Sequence, residues 1–170
     1  MAKAKASRPH MPGYGISDAK AGQGLLPWRW ASEKIDKGRT YFLATSSPDG
    51  KPHVMPVWGV WLSGAFFFST GTRSKKARNL ANNPLCSIVT EIDFKKKPKK
   101  DDIKDTVIVE GRAELISDSR TVKRFSALYQ DKYAWDMEGF DEPVYRVRSQ
   151  KVFGFTGTFT QSATRWTFDE

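Results

Sequence analysis

Apolar and polar positions alternate with a period of two through most of the middle of the chain, the spacing of half-buried strands. "TYFLATS" (40–46) reads as one such strand and "SPDGK" (47–51) as the turn that reverses it. "PHVMPVWGVWL" (52–62) reads as a single long strand, with Val54, Trp58, Val60 and Leu62 facing one way and His53, Met55, Val57 and Trp61 the other. Ser63 and Gly64 make a second tight turn into "AFFFST". "LCSIVTE" and "TVIVEGRAELI" follow as strands, and "VYRVRS", "KVFGFTG" and "ATRWTF" close the chain as three more.

Two stretches change to a helical period. Pro27 can open a helix through "PWRWASEKID", with Trp28, Ala31 and Ile35 on one face and Gly38 at its end. Asp118 or Ser119 caps a second helix, whose apolar face is Val122, Phe125, Leu128 and Tyr129. Residues 1–24 read as an irregular arm because Pro9, Pro12, Gly13, Gly15, Gly22 and Gly24 punctuate them. Residues 25–170 then form a single domain. Short strands, tight hairpins and few helices predict a mainly β fold, an antiparallel barrel rather than a parallel α/β sheet.

Composition narrows the function classes. A chain of 170 residues suits one domain, and an aromatic share of 13% predicts an aromatic-rich core. No apolar run approaches the roughly 18–20 residues of a membrane span, and the basic, Pro/Gly-rich N-terminus has no apolar signal core, so a soluble cytoplasmic protein is expected. Cys86 is the single cysteine, which excludes an intramolecular disulfide, and it reads as a buried strand residue. The two histidines, His10 and His53, are far apart, so no metal site is expected. The net charge of +9 owes five charges to Lys95–Lys100, "KKKPKK", which reads as a solvated loop. What remains is a modest excess, which argues against nucleic acid as the partner.

The remaining cations raise a question. In "STGTRSKKARNLANNP" (69–84), Arg73, Lys75 and Lys76 crowd the start of a helix, where unpaired N–H groups already carry a partial positive charge. Ser69 and Thr70 end a strand, Gly71 permits close backbone approach, and Ser74 is a plausible N-cap. Free N–H groups, hydroxyls and cations converging on one point form a phosphate site, the alternative being a solvated basic helix start.

The run from Asp49 to Glu91 resembles the pyridoxamine 5'-phosphate oxidase-like family of flavin-binding split barrels. It carries the D-G-x-P hairpin (Asp49 to Pro52), a flavin-lining strand, the Ser69-Thr70 pair, S-K-K (Ser74 to Lys76) opening a helix, and a terminal Asn83-Pro84. The resemblance implies a six-stranded antiparallel split β-barrel, a homodimer with FMN at the interface, and a small-molecule substrate. It implies that Ser69 and Thr70 contact the flavin or its phosphate, that Ser74, Lys75 and Lys76 hold the phosphate, and that Met55, Pro56, Val57 and Trp58 run beside the ring. Asn79 would be a further polar contact, and Arg165 and Trp166 would reach the partner's cofactor. The vitamin-making oxidase carries R-x-V-L-L-K where this chain has "MPVWGVW". The chain is therefore more similar to the family's broad branch of FMN- or deazaflavin-dependent reductases. The expected function is an FMN-dependent oxidoreductase. The alternatives are a deazaflavin-dependent reductase and a non-catalytic flavin- or haem-binding protein.

A few residues keep two readings. His53 is either a rim residue or a proton donor. Trp58 and Trp61 cannot share one face of a regular strand, so one borders the ring or both pack. Tyr133, Trp135 and Met137 either pack after the long helix or wall a substrate pocket.

Overall fold

A computed structural model of the chain describes residues 3–18, 20, 24–90 and 102–168. Its elements run β1 (Ala4–Ser7), α1 (Trp28–Lys37), β2 (Tyr41–Ser46), β3 (Pro52–Val57), β4 (Gly59–Leu62), β5 (Ala65–Ser69), α2 (Lys75–Asn82), β6 (Leu85–Thr90), β7 (Asp102–Ile116), α3 (Ser119–Tyr133), β8 (Val144–Thr158), α4 (Phe159–Ser162) and β9 (Thr164–Phe168). The lysine run Lys95–Lys100 lies outside the described residues.

Every strand pair is antiparallel, and hydrogen bonding connects β3-β2-β6-β7-β8-β5-β4. Because β3 and β4 are joined directly through Trp58, this path returns on itself. Counted as one bent strand, β3–β4 completes a six-stranded ring, the expected split barrel. Strand β8 serves two neighbours along one edge: Val144–Val147 pairs with β5, and Lys151–Gly154 pairs with β9. The two runs expected on either side of Gln150 are thus one strand, and β7 shifts register against it at Glu110/Gly111. That shift skips Gln150 as an extra residue, a bulge that bends the strand from one neighbour toward the other.

The turns follow the sequence chemistry. Gly50 takes φ +80°, and the Ser63–Gly64 pair takes φ 53° and 83°, the left-handed conformation of a two-residue hairpin. The long strand expected over 52–62 instead breaks at Trp58–Gly59. A Cβ on Gly59 would stand 2.3 Å from Phe66 Cζ and 2.6 Å from the Phe67 carbonyl oxygen, so only glycine lets the chain bend this close to β5. After the bend, Val60 and Leu62 are buried as expected, but Val54 and Trp58 before it are exposed.

The N-terminal arm is not irregular throughout. Residues 4–7 precede the first proline and pair with β9 from Ala4↔Phe168 to Ser7↔Arg165. Arg8 fastens the strand's end, donating to the carbonyls of Ser17 (3.0 Å), Ala163 (2.7 Å) and Gln161 (2.8 Å).

Two apolar clusters sit on opposite sides of β5. Phe66 and Phe68 join Ile35, Tyr41, Leu43, Ile88, Val107, Val147 and Trp166 inside the ring, and α1 covers that core with Ala31 and Ile35. Phe67 faces outward with Val60 and Leu62 against Phe125 of α3. Covered on both faces, β5 is apolar at successive positions instead of alternating. On α3, Phe125 is buried and Leu128 is exposed, so the buried stripe runs through Val122, Phe125, Tyr129 and Tyr133.

Gly154 is a second close approach in the main core, where two tryptophans meet the backbone. A Cβ there would lie 2.7 Å from Trp166 Cη2 and 2.8 Å from Trp30 Cζ3. Gly154→Ala is expected to destabilise the fold by about 1–3 kcal/mol through overpacking. Urea denaturation should show a lower midpoint at unchanged slope, and an unchanged midpoint would contradict the packing described.

Candidate functional site

Strand β5 ends at Ser69, and Thr70 to Ser74 turn the chain into α2. Ser74 is extended (φ −65°, ψ 151°), and its Oγ accepts from Ala77 N–H at 3.1 Å. Thr70 Oγ1 lies 3.1 Å from Ser74 Oγ, and Ser74 O accepts from Arg78 N–H at 3.1 Å. The N–H groups of Lys75 and Lys76 point out of the first turn with no carbonyl of the helix behind them. Arg73 and Lys75 are exposed and Lys76 is half-buried. Among the described residues no carboxylate forms an ion pair with any of these three cations. The Glu142 carboxylate is the nearby negative charge, 3.5 Å from where a Cβ on Gly71 would stand.

The predicted site residues divide into two groups. Thr70, Ser74, Lys75 and Lys76 come together at the mouth of α2. Met55, Pro56 and Trp58 are exposed along β3, which pairs with β2, the strand on which α2 docks. The others are turned elsewhere. Ser69 Oγ donates to the Pro143 carbonyl at 2.8 Å, and Val57 is packed in the main core. Asn79 is buried and its amide donates to Thr45 Oγ1 at 3.0 Å, so it fastens α2 to β2. Arg165 donates to Ser7 Oγ across the β1–β9 pair. Trp166 is 1% exposed, filling the space that Gly154 leaves, so its indole is enclosed in the core of its own chain.

Beside α2 an open cavity of about 320 Å³ is lined by Thr45, Ser46, Asn83, Cys86, Ser87 and Gln150, among others. Burial pushes the Cys86 thiol up to about 12, so it stays protonated and unreactive. His53 is half-buried on β3 and His10 is exposed. Among the described residues no cluster of His, Cys, Asp and Glu could hold a metal, and no helix is long and apolar enough to cross a membrane.

Sequence reasoning missed a buried polar cluster at the β3–β4 bend. Lys132 Nζ donates to Asp36 O (2.8 Å), Tyr41 Oη (2.9 Å) and Gly59 O (3.1 Å). Tyr133 Oη accepts from Gly59 N–H at 2.9 Å and lies 2.8 Å from both the Arg39 and Gly59 carbonyls, either of which takes its proton. Tyr41 Oη reaches the carbonyls of Ile35 and Gly38. Trp58 stacks flat on Tyr133, with ring centroids 4.8 Å apart and planes 2° from parallel, and Trp135 meets Trp58 edge-on at 5.9 Å. Tyr133 is therefore core and Met137 is buried, while Trp135 is exposed. One signal was available for Lys132: it lies seven residues after Phe125, on the buried stripe.

Residues 31–156 match the family profile described as pyridoxamine 5'-phosphate oxidase. Among solved structures the chain is similar to the conserved hypothetical protein Rv2991 from Mycobacterium tuberculosis (TM-score 0.66, 22% identity, covering 77% of this chain and 85% of that one). It is also similar to HutZ, the heme storage protein from Vibrio cholerae (0.62, 21%, 78% and 93%), and to ChuZ from Campylobacter jejuni (0.70, 14%, 84% and 61%). At these identities the likeness is one of fold. No curated protein matches the chain.

The buried cluster gives the stability a pH signature. Burial pulls Lys132 down to about 8, with Asp36 opposing and Arg39 reinforcing. An unfolded lysine keeps its proton to about pH 10.4. Between those values the unfolded state binds the extra proton, so stability rises with pH. Burial also raises Tyr133 to about 12. Above about pH 10 the unfolded phenol ionises first, and stability falls. The thermal midpoint should climb from pH 8 to 10 and then drop, and Lys132→Met should remove the climb. A wild-type midpoint flat over that interval would contradict the assignment.

Proposed function

The chain belongs to the pyridoxamine 5'-phosphate oxidase family, and from that premise we propose that it is a flavin-dependent oxidoreductase that holds FMN by its phosphate at the start of α2. The observation that carries this reading is the set of cations without ion-pair partners among the described residues, gathered at a capped helix N-terminus. Two open N–H groups, the one hydroxyl proton left free by the Thr70–Ser74 pair, Lys75 and Lys76 offer a dianion more donors than a solvated helix start requires. Lysine in place of arginine supplies point charges without a bidentate fork. Met55, Pro56 and Trp58, exposed along β3, border the ring. When bound, the flavin supplies the hydride and electron chemistry. The chain's own residues bind and orient it and shape the space over it for a small organic substrate. That division of labour fits a site with few candidate acids and bases.

Two structures of similar fold are those of a heme storage protein from Vibrio cholerae and a heme binding protein from Mycobacterium smegmatis. Haem iron takes an axial side-chain ligand, usually histidine. Here His53 lies half-buried within β3 and His10 in the exposed arm, so flavin is the better-supported ligand.

A second copy of the chain completes this reading. The outward face of the sheet carries a continuous apolar row across five strands, Pro56–Phe42–Val89–Ile108–Phe153, in direct register. Phe42 is 42% exposed. A contiguous apolar strip of this kind supports an interaction surface, and since its first member, Pro56, is on β3, the proposed cofactor strand would lie at the edge of the proposed interface.

Titration with FMN, with a deazaflavin coenzyme and with haemin separates the ligands by their visible spectra. FMN should bind, and Lys75→Ala plus Lys76→Ala should weaken it at least about tenfold, since each charged hydrogen bond is worth about 1.5–3 kcal/mol, with circular dichroism unchanged. Preferential deazaflavin uptake would move the assignment to that coenzyme, and a Soret band with no flavin uptake would overturn it in favour of haem. Reduced nicotinamide cofactor with trial acceptors then tests turnover, and binding without flux would make the protein a carrier.

Sedimentation tests the second copy independently. The wild-type chain should sediment as a dimer and Phe42→Asp as a folded monomer. A monomeric wild type would refute the interface.

A further inference from the structure

The β3–β4 bend is held from two sides. On one side Phe66 and the Phe67 carbonyl leave no room for a Cβ on Gly59. On the other, two successive side chains of α3 grip the two peptides that flank Gly59. Tyr133 Oη accepts the Gly59 N–H at 2.9 Å, and Lys132 Nζ donates to the Gly59 carbonyl at 3.1 Å. Their remaining bonds run to the C-terminal end of α1, at Asp36 O and Arg39 O, and to Tyr41 of β2. The bend is therefore referenced to three other elements at once. The ring of Tyr133 then fixes Trp58, which lies flat against it and is also bordered by Tyr129 and Trp135.

A strand this weakly buried needs such a fixture. Of the β3 residues only Val57 is buried, while Val54, Met55 and Trp58 are 42% exposed or more. Core packing sets the position of β4 but not the side chains just before it. A neutral backbone-capping role would need only one hydroxyl. Here both backbone polar atoms of Gly59, one from each flanking peptide, are taken, and the aromatic stack carries that restraint into the exposed indole.

We propose that Lys132 and Tyr133 act together as positioning residues, clamping Gly59 through both flanking peptides so that Trp58 is presented in one fixed orientation to the ring of the bound cofactor. This inference rests on the flavin reading for its final step. Neither residue touches the cofactor, and each acts through Gly59 and Trp58. The clamp makes α3, which contributes nothing to the phosphate cradle, a determinant of how the ring is held. Disturbing it should alter the environment of the ring and leave the phosphate contacts of Lys75 and Lys76 in place.

The test uses Tyr133→Phe, which keeps the stacked ring and removes the hydroxyl, and Lys132→Met, which keeps the stem and removes the charge. In the cofactor-free protein, Gly59 amide hydrogen exchange should speed up about tenfold in Tyr133→Phe, as expected for loss of one buried hydrogen bond. Exchange in the middle of α3 should be unchanged. The near-ultraviolet circular dichroism of the Trp58–Tyr133 pair should weaken in both variants, and Trp58→Phe identifies that band. In the FMN-loaded protein, both variants should shift the visible flavin band and raise flavin mobility in fluorescence anisotropy. Lys75→Ala plus Lys76→Ala should weaken binding without changing Gly59 exchange. Should Tyr133→Phe fail to fold, Lys132→Met carries the dichroism, flavin-band and anisotropy readouts; should Lys132→Met fail, Tyr133→Phe carries all of them. Unchanged Gly59 exchange and dichroism would overturn the clamp. Changes there with an unaltered flavin band and anisotropy would overturn its positioning role. Failure of the wild-type chain to take up flavin would overturn that role together with the flavin reading, while the exchange data would still decide whether the clamp exists.

Discussion

The C-terminal carbonyls of α1 are the constraint around which the interior is arranged. A helix leaves its last four carbonyls without partners, and α1 lies on the core with Ala31 and Ile35 fully buried, where water is a poor substitute. The single Tyr41 hydroxyl proton is shared between Ile35 O and the C-cap carbonyl of Gly38, Lys132 takes Asp36 O, and Tyr133 reaches Arg39 O just after the helix. A buried carbonyl left unpaired costs about 1–3 kcal/mol, which applies to Ile35 O, whereas Asp36 and Arg39 are exposed residues; together these three side chains tie the end of the helix to its neighbours. They come from β2 and α3, and two of them also bind Gly59 at the head of β4. Apolar contacts among Phe66, Phe68, Trp166 and their neighbours hold these elements close, but they are non-directional. The directional bonds select one arrangement.

The second organising feature works the other way, as a local rule left broken. Cations in the first turn of a helix cost about 0.3–1 kcal/mol each against its dipole, and α2 begins with two lysines immediately after Arg73. Everything else about α2 is consistent: a bonded serine cap, a buried amide tie to Thr45, and Asn83 reaching Ser46 Oγ at 3.1 Å. A well-made helix with a misplaced charge cluster points to something outside the chain that reverses the sign. Glu142 beside Gly71 offsets part of that charge. With no ion pair among the described residues it leaves the cradle net positive.

Much of this was legible in the sequence because it depended on local chemistry. Glycine at positive φ marks both hairpins, Asp118 caps α3, Ser74 caps α2, and the alternation of β2 and β6 gives their buried faces directly. The family's motif residues at the mouth of α2 were legible for the same reason. What was not legible depended on distant neighbours. The break at Gly59 comes from Phe66 and Phe67, across a hairpin. The burial of Trp166 depends on the space at Gly154, and the pairing of residues 4–7 depends on a strand more than 150 positions away. Lys132 was hidden by its own charge: a lysine near a helix end normally faces water, and only the three acceptors brought together by α1, β2 and β4 make its burial possible.

These two features meet on one stretch of chain. Residues 52–58 leave the Ser47–Lys51 turn, run along β2 and end at the clamped glycine, with few core contacts between. Their conformation is therefore set at the ends rather than along the length, and their side chains remain available to whatever lies over the sheet. Packing the whole strand inward would have made it more stable and removed that availability. The arrangement present keeps β3 exposed and transfers the work of ordering it to Tyr41, Lys132 and Tyr133, groups well removed from the cradle in sequence. A site of this design can vary Met55, Pro56 and Trp58, the residues proposed to face the ligand, without touching the bonds that hold their backbone in place.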